Sequence, residues 1–323
     1  MISRALIASS LIVSLFLPGT SDAGGFAYIT NQGSHDVSVI DLDNHQVVTA
    51  IPVGKGPVGV AASAAIQRVF VSNVESQSIS VIDTLSNQVV DEIQLSGSPV
   101  AIAVSQDGSM LYVADWYLDS VIAIDTRDFS KRRKVGIGKA PAGLAISPDG
   151  RTLYVSNRDS DDIGIIDTVS MTVVGRIPVG AHPFGISISP DGRQLYVVNV
   201  YEDSVSFIDL ASGQAEKIKV GTRPYCAAVS PDGRFVYVTN TQSDNVTVID
   251  TVSRHVVTSI ATGGFPEGID FDKVSHRVYV ASWSEDTVSV IDAKSNKVID
   301  TIKTGQQSRA FGRFIINGDD RKD

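Results

Sequence analysis

Cysteine is almost missing from this chain of 323 residues: Cys226 is the only one. No intramolecular disulfide can form, so stability has to come from packing and chain closure. Histidine is scarce as well, with five residues and no His-rich or Cys-rich spacing suited to a metal. No G-x-S-x-G elbow, P-loop or c-type haem motif occurs, so no cofactor or metal is expected. Basic residues are outnumbered, 27 Lys and Arg against 36 Asp and Glu, for a net charge of −9. That balance disfavours nonspecific nucleic-acid binding, which draws most of its affinity from a basic face. After the N-terminal segment no apolar run approaches the roughly 20 residues of a membrane helix, so no membrane span is expected. Nor does that part of the chain carry a sustained helical period.

The first residues form the one long apolar run. Arg4 supplies a positive start, Ala5 to Leu17 is apolar, and Pro18 breaks it. "SDA" at Ser21 to Ala23 fits a small-x-small cleavage site, so residues 1–23 read as a secretory signal peptide removed after Ala23. The expected location is the periplasm or the cell exterior. Residues 24–316 then read as one domain, and residues 317–323 as a polar tail.

What the chain has in plenty is self-similarity. The aromatics Tyr28, Phe70, Tyr112, Tyr154, Tyr196, Tyr237 and Tyr279 are 42 residues apart, except for one gap of 41. The acids Asp41, Asp83, Asp125, Asp167, Asp209, Asp250 and Asp292 keep the same spacing. The missing residue falls in a turn, within "LASGQAEKIKVGTR". A fixed period of this length marks stacked supersecondary units. Inside each unit, short β-branched and aromatic runs such as "YVTN" and "NVTVID" alternate with turn signals such as "SPDGR" and "DTVS". The sixth unit divides into four strands, roughly Tyr225 to Ser230, Phe235 to Thr239, Asn245 to Ile249 and His255 to Ala261. Four antiparallel strands repeated seven times predict an all-β, seven-bladed β-propeller.

"YVTN" at Tyr237 to Asn240 resembles the signature of the YVTN-type, YncE-like β-propeller repeats. The resemblance covers about residues 26–316. It implies the propeller fold and a setting like that of bacterial periplasmic or archaeal surface-layer proteins. One periplasmic branch of that family is associated with single-stranded DNA. Related propellers include lactonases, lyases and tetrapyrrole-binding domains. The WD dipeptide of WD40 repeats is absent.

The first unit begins at "FAYITN", a second strand with no inner strand before it. "SRAFGRFII", Ser308 to Ile316, aligns with inner-strand segments such as "HPFGISIS". The C-terminus is therefore predicted to complete the N-terminal blade and remove the open edges. Features that repeat read as structure: the "VID" aspartates as turn acceptors, "SPDGR" as a hairpin, and the prolines at 57, 99, 141, 183, 224 and 266 as inner-strand starts. The second and fourth residues after each proline are small, because the strands converge on an axis. Cys226 obeys that rule and reads as packing filler, with a ligand or nucleophile role as the alternative. Asp270 breaks it in charge, as a structural acceptor or a functional acid.

Features that do not repeat cluster on one face. Loops entering the inner strands share that face with loops following "YVTN". Three successive blades carry small or aliphatic residues there. The next four bring His182, Phe184, Arg223, Tyr225, Glu267 and Arg309, with Lys55 and Lys139 in the same set of loops. Trp116, Tyr117, Tyr201 and Trp283 follow the second strands. These residues, with Asp270, are the expected ligand site: a basic centre ringed by acidic loops that would focus an anion. The expected function is a binding module, a monomer, taking an anionic small molecule or a protein partner. One alternative is a lactonase-like hydrolase or lyase at the same mouth. The other is single-stranded nucleic acid stacking on the aromatics, which the net charge disfavours.

Overall fold

The computed structural model describes residues 24–317; the expected leader and the tail beyond Asn317 lie outside them. Among the described residues the strands form seven sheets, each containing a four-stranded antiparallel blade. Blade 1 holds Phe26–Asn31, Asp36–Asp41 and Gln46–Pro52, with Ile315–Ile316 as its innermost piece. Blades 2 to 7 start on inner strands Pro57–Ser63, Pro99–Val104, Pro141–Ile146, Pro183–Ile188, Pro224–Val229 and Pro266–Asp272. The predicted strands of the sixth unit recur as Pro224–Val229, Phe235–Asn240, Asn245–Asp250 and His255–Ala261.

The repeated letters have distinct jobs. The ring of the "YVTN" Tyr, or of Phe70, is 0–8% exposed in every copy and sits in the core. The closing Asn is a staple. Asn199 donates to Ser204 Oγ and Ser206 Oγ and accepts the Gly180 N–H at 3.0 Å. It thereby joins the second strand, the third strand and the loop that enters the blade from the preceding one. The "VID" aspartates take the backbone N–H groups of the turn: Asp250 Oδ1 accepts from Val252 and Ser253 at 3.0 and 2.8 Å. The small-residue rule of the inner strands also has a direct cause. A Cβ on Gly59 would lie 2.6 Å from Val100 O, and one on Gly185 would lie 2.5 Å from Tyr225 O. Neighbouring inner strands approach backbone to side chain, and only small residues fit between them.

These turn acids set the acid limit of the fold. The backbone N–H of Ser86, Ser170, Ser212 or Ser253 holds Asp83, Asp167, Asp209 or Asp250 below the usual carboxylate range, helped by that serine's hydroxyl. A carboxylate with a depressed folded pKa contributes stability above its unfolded pKa and loses it as pH falls through the folded value. The repeated turns therefore weaken together below about pH 4. Urea midpoints measured from pH 7 down to pH 2 are expected to hold and then fall steeply in that window.

Closure follows the prediction, with one difference. Ile315 and Ile316 pair antiparallel with Ala27 and Phe26, and Ser308 bridges Asn31. Between them the segment leaves blade 1. Phe311–Arg313 instead pairs parallel with Gly59 to Ala61 of blade 2, making that sheet five-stranded. Two left-handed residues, Ala310 (φ 52°) and Gly312 (φ 126°), produce the detour. On the opposite face His45 ties blade 1 to blade 7. Its Nε2 accepts from Arg277 Nη1 at 2.7 Å, and its Nδ1 donates to Asp300 Oδ2 at 2.9 Å.

Candidate functional site

The loops on the mouth face are built on one scheme. Residues just before the inner-strand prolines take left-handed backbone, among them Ala140, His182, Arg223 and Phe265, and Gln307 does the same before Ser308. In those blades an Asp 20 or 21 positions earlier accepts the N–H of that residue, as Asp161 does for His182 (2.8 Å) and Asp203 for Arg223 (2.9 Å). The residue after each second strand closes the loop from the other side: Val200 N–H donates to His182 O at 3.1 Å and Trp116 N–H to Ser98 O at 3.2 Å. Each rim side chain thus projects from a doubly anchored loop, which is why identical blades can present different residues at one place.

Five of the expected residues converge. Trp116, Tyr117, Phe184, Tyr225 and Arg309 line a depression of about 250 Å³ at the channel mouth. Its remaining wall comes from Val58, Val74, Val100, Ser98 and Gln32, so the blades that read as bland supply the aliphatic side. Phe184 anchors the floor. Its ring centroid is 4.2 Å from Tyr225, 4.9 Å from Phe311 and 6.0 Å from Trp116, all at tilted angles. Tyr117 is 78% exposed and stands over the opening.

The expected basic centre is not a free cation. Arg309 Nε and Nη2 donate to Glu267 Oε2 and Oε1 at 2.5 and 2.9 Å, a bidentate pair. The guanidinium also reaches Gln32 Oε1 at 3.0 Å and Tyr225 Oη at 3.3 Å. Glu267 is 2% exposed. Burial pushes its pKa up, against the pull of Arg309. The Tyr225 phenol is pushed up too, first by burial and then by Glu267. The centre of the mouth therefore carries a compensated ion pair under an aromatic and aliphatic wall.

Arg223 lies further out. Its guanidinium sits 4.1 Å above the Tyr201 ring, and the other side of the cluster is His182, stacked on Tyr201 at 3.9 Å. Arg158, not singled out from the sequence, lies 5.2 Å from the Trp116 ring and 6.0 Å from Tyr201. It also pairs with Asp159 at 2.8 Å, and His182 Nε2 is 3.7 Å from the same carboxylate. No carboxylate lies within ion-pair distance of Arg223 among the described residues. Trp283 lines a different groove.

Asp270 faces away from the depression and into the closure. Its Oδ2 accepts the N–H groups of Phe314 and Ile315, both at 2.9 Å. Burial raises its pKa, opposed by Arg313 and by those amides. The carboxylate thus receives the closing strand where it returns to blade 1. Cys226 is 6% exposed at a small-residue position, and burial pushes its thiol well above the usual range. Slow reaction with thiol reagents is expected at neutral pH, because the thiolate is the nucleophile. Cys226→Ala should cost about 1–2 kcal/mol, read from urea midpoints.

Residues 61–148 match the family described as YNCE-like beta-propeller. The chain is a seven-bladed β-propeller, and over those residues it is similar to that family. Residues 121–226 of the propeller also match the family described as Lactonase, 7-bladed beta-propeller. No curated protein matches it in sequence. Among solved structures, Kuenenia stuttgartiensis hydrazine synthase superposes with a TM-score of 0.76 at 24% identity, over 84% of this chain and 93% of that one. A functionally unknown protein from Desulfotomaculum acetoxidans gives 0.76 at 16% identity, over 89% and 99%. Dihydro-heme d1 dehydrogenase NirN in complex with DHE gives 0.66 at 19% identity, over 88% of this chain and 64% of that one. Identities this low carry the fold and nothing further. No helix among the described residues is long and apolar enough to cross a membrane.

Proposed function

We propose that the propeller is a binding module of the periplasm or cell exterior that takes a flat, largely apolar ligand with an anionic group into its channel mouth. The leader-like residues 1–23 support the location. The observation that carries the site is the convergence of Trp116, Tyr117, Phe184 and Tyr225 on one depression beside Arg309. Aromatic faces supply the apolar contact, and Arg223 at the edge supplies the uncompensated charge. Arg309 contributes direction more than charge, because Glu267 already balances it. A protein partner would be met by an acidic or aromatic segment of matching shape.

A fluorescent aromatic sulfonate, 8-anilinonaphthalene-1-sulfonate, is a suitable probe. It is expected to bind saturably and to weaken with added salt. Combined Trp116→Ala and Tyr117→Ala should weaken it about tenfold or more, and Arg223→Ala should remove most of the salt dependence. Arg151→Ala with Arg193→Ala, on the opposite face, should change nothing. Equal losses from the two faces, or no saturable binding, would reject the reading.

The match of residues 121–226 to a lactonase propeller family keeps one enzymatic reading in play. In that reading a general base must reach a substrate in the depression. Glu267 is fastened to Arg309 and Asp270 to the closing strand, so neither is available without rearrangement. Hydrolysis of dihydrocoumarin, lost in Glu267→Gln while probe binding persists, would favour the enzyme.

A further inference from the structure

Trp283 holds the same place in blade 7 that Trp116 holds in blade 3. Each follows the second strand and donates its backbone N–H to the residue before the inner-strand proline, Trp283 to Phe265 O at 3.0 Å. Their rings go different ways. Trp116 leans to the axis and Phe184, whereas Trp283 rests on Phe265, with centroids 5.8 Å apart. Trp283 then walls a separate groove of about 520 Å³ between blades 7 and 1. The rest of that groove is Gly33, Ser284, Asp286, Gln306 and Gln307.

The groove is rigid and polar. Gly33 N–H donates to Gln306 O at 2.9 Å and Gln32 N–H to Gln307 O at 3.0 Å. Gln307 N–H donates to Asp286 Oδ1 at 2.6 Å, and Gln306 N–H to Ser34 Oγ at 3.0 Å. These bonds fix the backbone and leave the two glutamine amides and the Ser284 hydroxyl to face outward. Asp286 is the one ionisable lining residue, so nothing in the lining recruits an anion. Gly33 keeps the groove open. Its backbone is not in the left-handed region, so glycine is not imposed by conformation. A Cβ there would lie 3.1 Å from Gln306 Cβ and 3.2 Å from Gln307 Oε1. The equivalent residues of the other blades are Glu75, Tyr117, Asp159, Tyr201, Gln242 and Ser284.

We infer that this groove binds a neutral pyranose ring, as a free sugar or as one unit of a glycan. A pyranose has an apolar face of C–H groups and a rim of hydroxyls that both donate and accept. The Trp283 indole matches the face, since its ring is broad and its dispersion contact does not depend on charge. Glutamine amides offer a donor and an acceptor side by side, the pattern that vicinal hydroxyls require, and the carboxylate of Asp286 adds an acceptor. The site is independent of the central depression, where the wall is aliphatic and the polar group is a compensated arginine.

The test uses the mature protein and the methyl pyranosides of glucose, galactose, mannose and N-acetylglucosamine. In a Trp116→Phe variant, Trp283 is the remaining tryptophan. Its emission is expected to shift saturably with at least one of the four, at millimolar Kd. Saturation-transfer NMR should show binding at least about tenfold weaker in Trp283→Ala. Gly33→Gln should weaken it likewise, and that variant folds normally because glutamine already stands at this place in blade 6 as Gln242. Gln306→Ala with Gln307→Ala should do the same. No saturable response to any of the four at about 100 mM overturns the inference. So does binding that survives both Trp283→Ala and Gly33→Gln, or that is lost in Trp116→Ala instead.

Discussion

A chain of residues 24–305 is expected to lose cooperative folding. Such a chain lacks Arg309 N–H on Thr30 O (2.9 Å), Ala310 N–H on Thr30 Oγ1 (2.8 Å) and Tyr28 N–H on Phe314 O (2.9 Å). It also lacks Phe311, Phe314, Ile315 and Ile316, each no more than 6% exposed. Burying four such side chains contributes on the order of 6–12 kcal/mol, comparable with the whole net stability of a domain. Blade 1 would be left with three strands and an open edge against blade 2. Urea unfolding by circular dichroism should show a broad, early transition, and the shortened chain should associate. A chain of residues 24–318 should unfold like one of residues 24–323. If the chain ending at Gly305 unfolds with the same midpoint and slope as residues 24–323, the closing segment contributes nothing and the account fails. Asp270→Ala is the point version of the same loss. It strands two amides at the return to blade 1 and should cost about 2–4 kcal/mol.

Arg309→Ala is expected to cost about 3–5 kcal/mol at neutral pH, because it leaves Glu267 buried with no counter-charge. The cost should depend on pH in a definite direction. Burial raises the Glu267 pKa and Arg309 lowers it, so removing the arginine raises it further. An acid whose folded pKa is raised binds its proton more tightly when folded, so stability falls as pH rises from the unfolded value through the folded one. The loss in Arg309→Ala should therefore be smallest near pH 4.5 and grow toward pH 7. This slope is opposite in sign to that of the turn aspartates, which lose stability on acidification. Urea midpoints of both proteins from pH 4 to 8 give the comparison. Arg309→Met with Glu267→Leu should recover most of the loss, since an apolar pair has no charge to desolvate. A cost that stays flat across this range would mean that Glu267 is neutral throughout.

The architecture was legible because it is local and repeated. Tyr28 through Tyr279 recur every 42 residues or nearly so, the strands between them are short and alternating, and "SRAFGRFII" is visibly the missing inner strand of the first copy. Repetition averages over the accidents of any one blade. The single break, where Phe311–Arg313 crosses to blade 2, rests on two left-handed residues and on a carboxylate 44 positions away. No short window of sequence contains both.

The mouth was legible only as a set of residue types on a shared face. Phe184, Tyr225, Trp116, Tyr117 and Arg309 come together because four different blades aim them at one axis. Whether an arginine there is a free cation depends on which side chain stands beside it. Glu267 is 42 residues from Arg309 and one blade away, and it takes both guanidinium edges. The two tryptophans hold equivalent loop positions and read alike, yet one faces Phe184 and the other Phe265, over a groove left open by Gly33. By itself the sequence determined the strands, their number, the ring and the face that varies, since each follows from local pattern and period. Only the tertiary structure decided which charges cancel and which aromatics share a pocket. Those outcomes turn on distances of a few ångströms between blades, and a repeat period does not encode them.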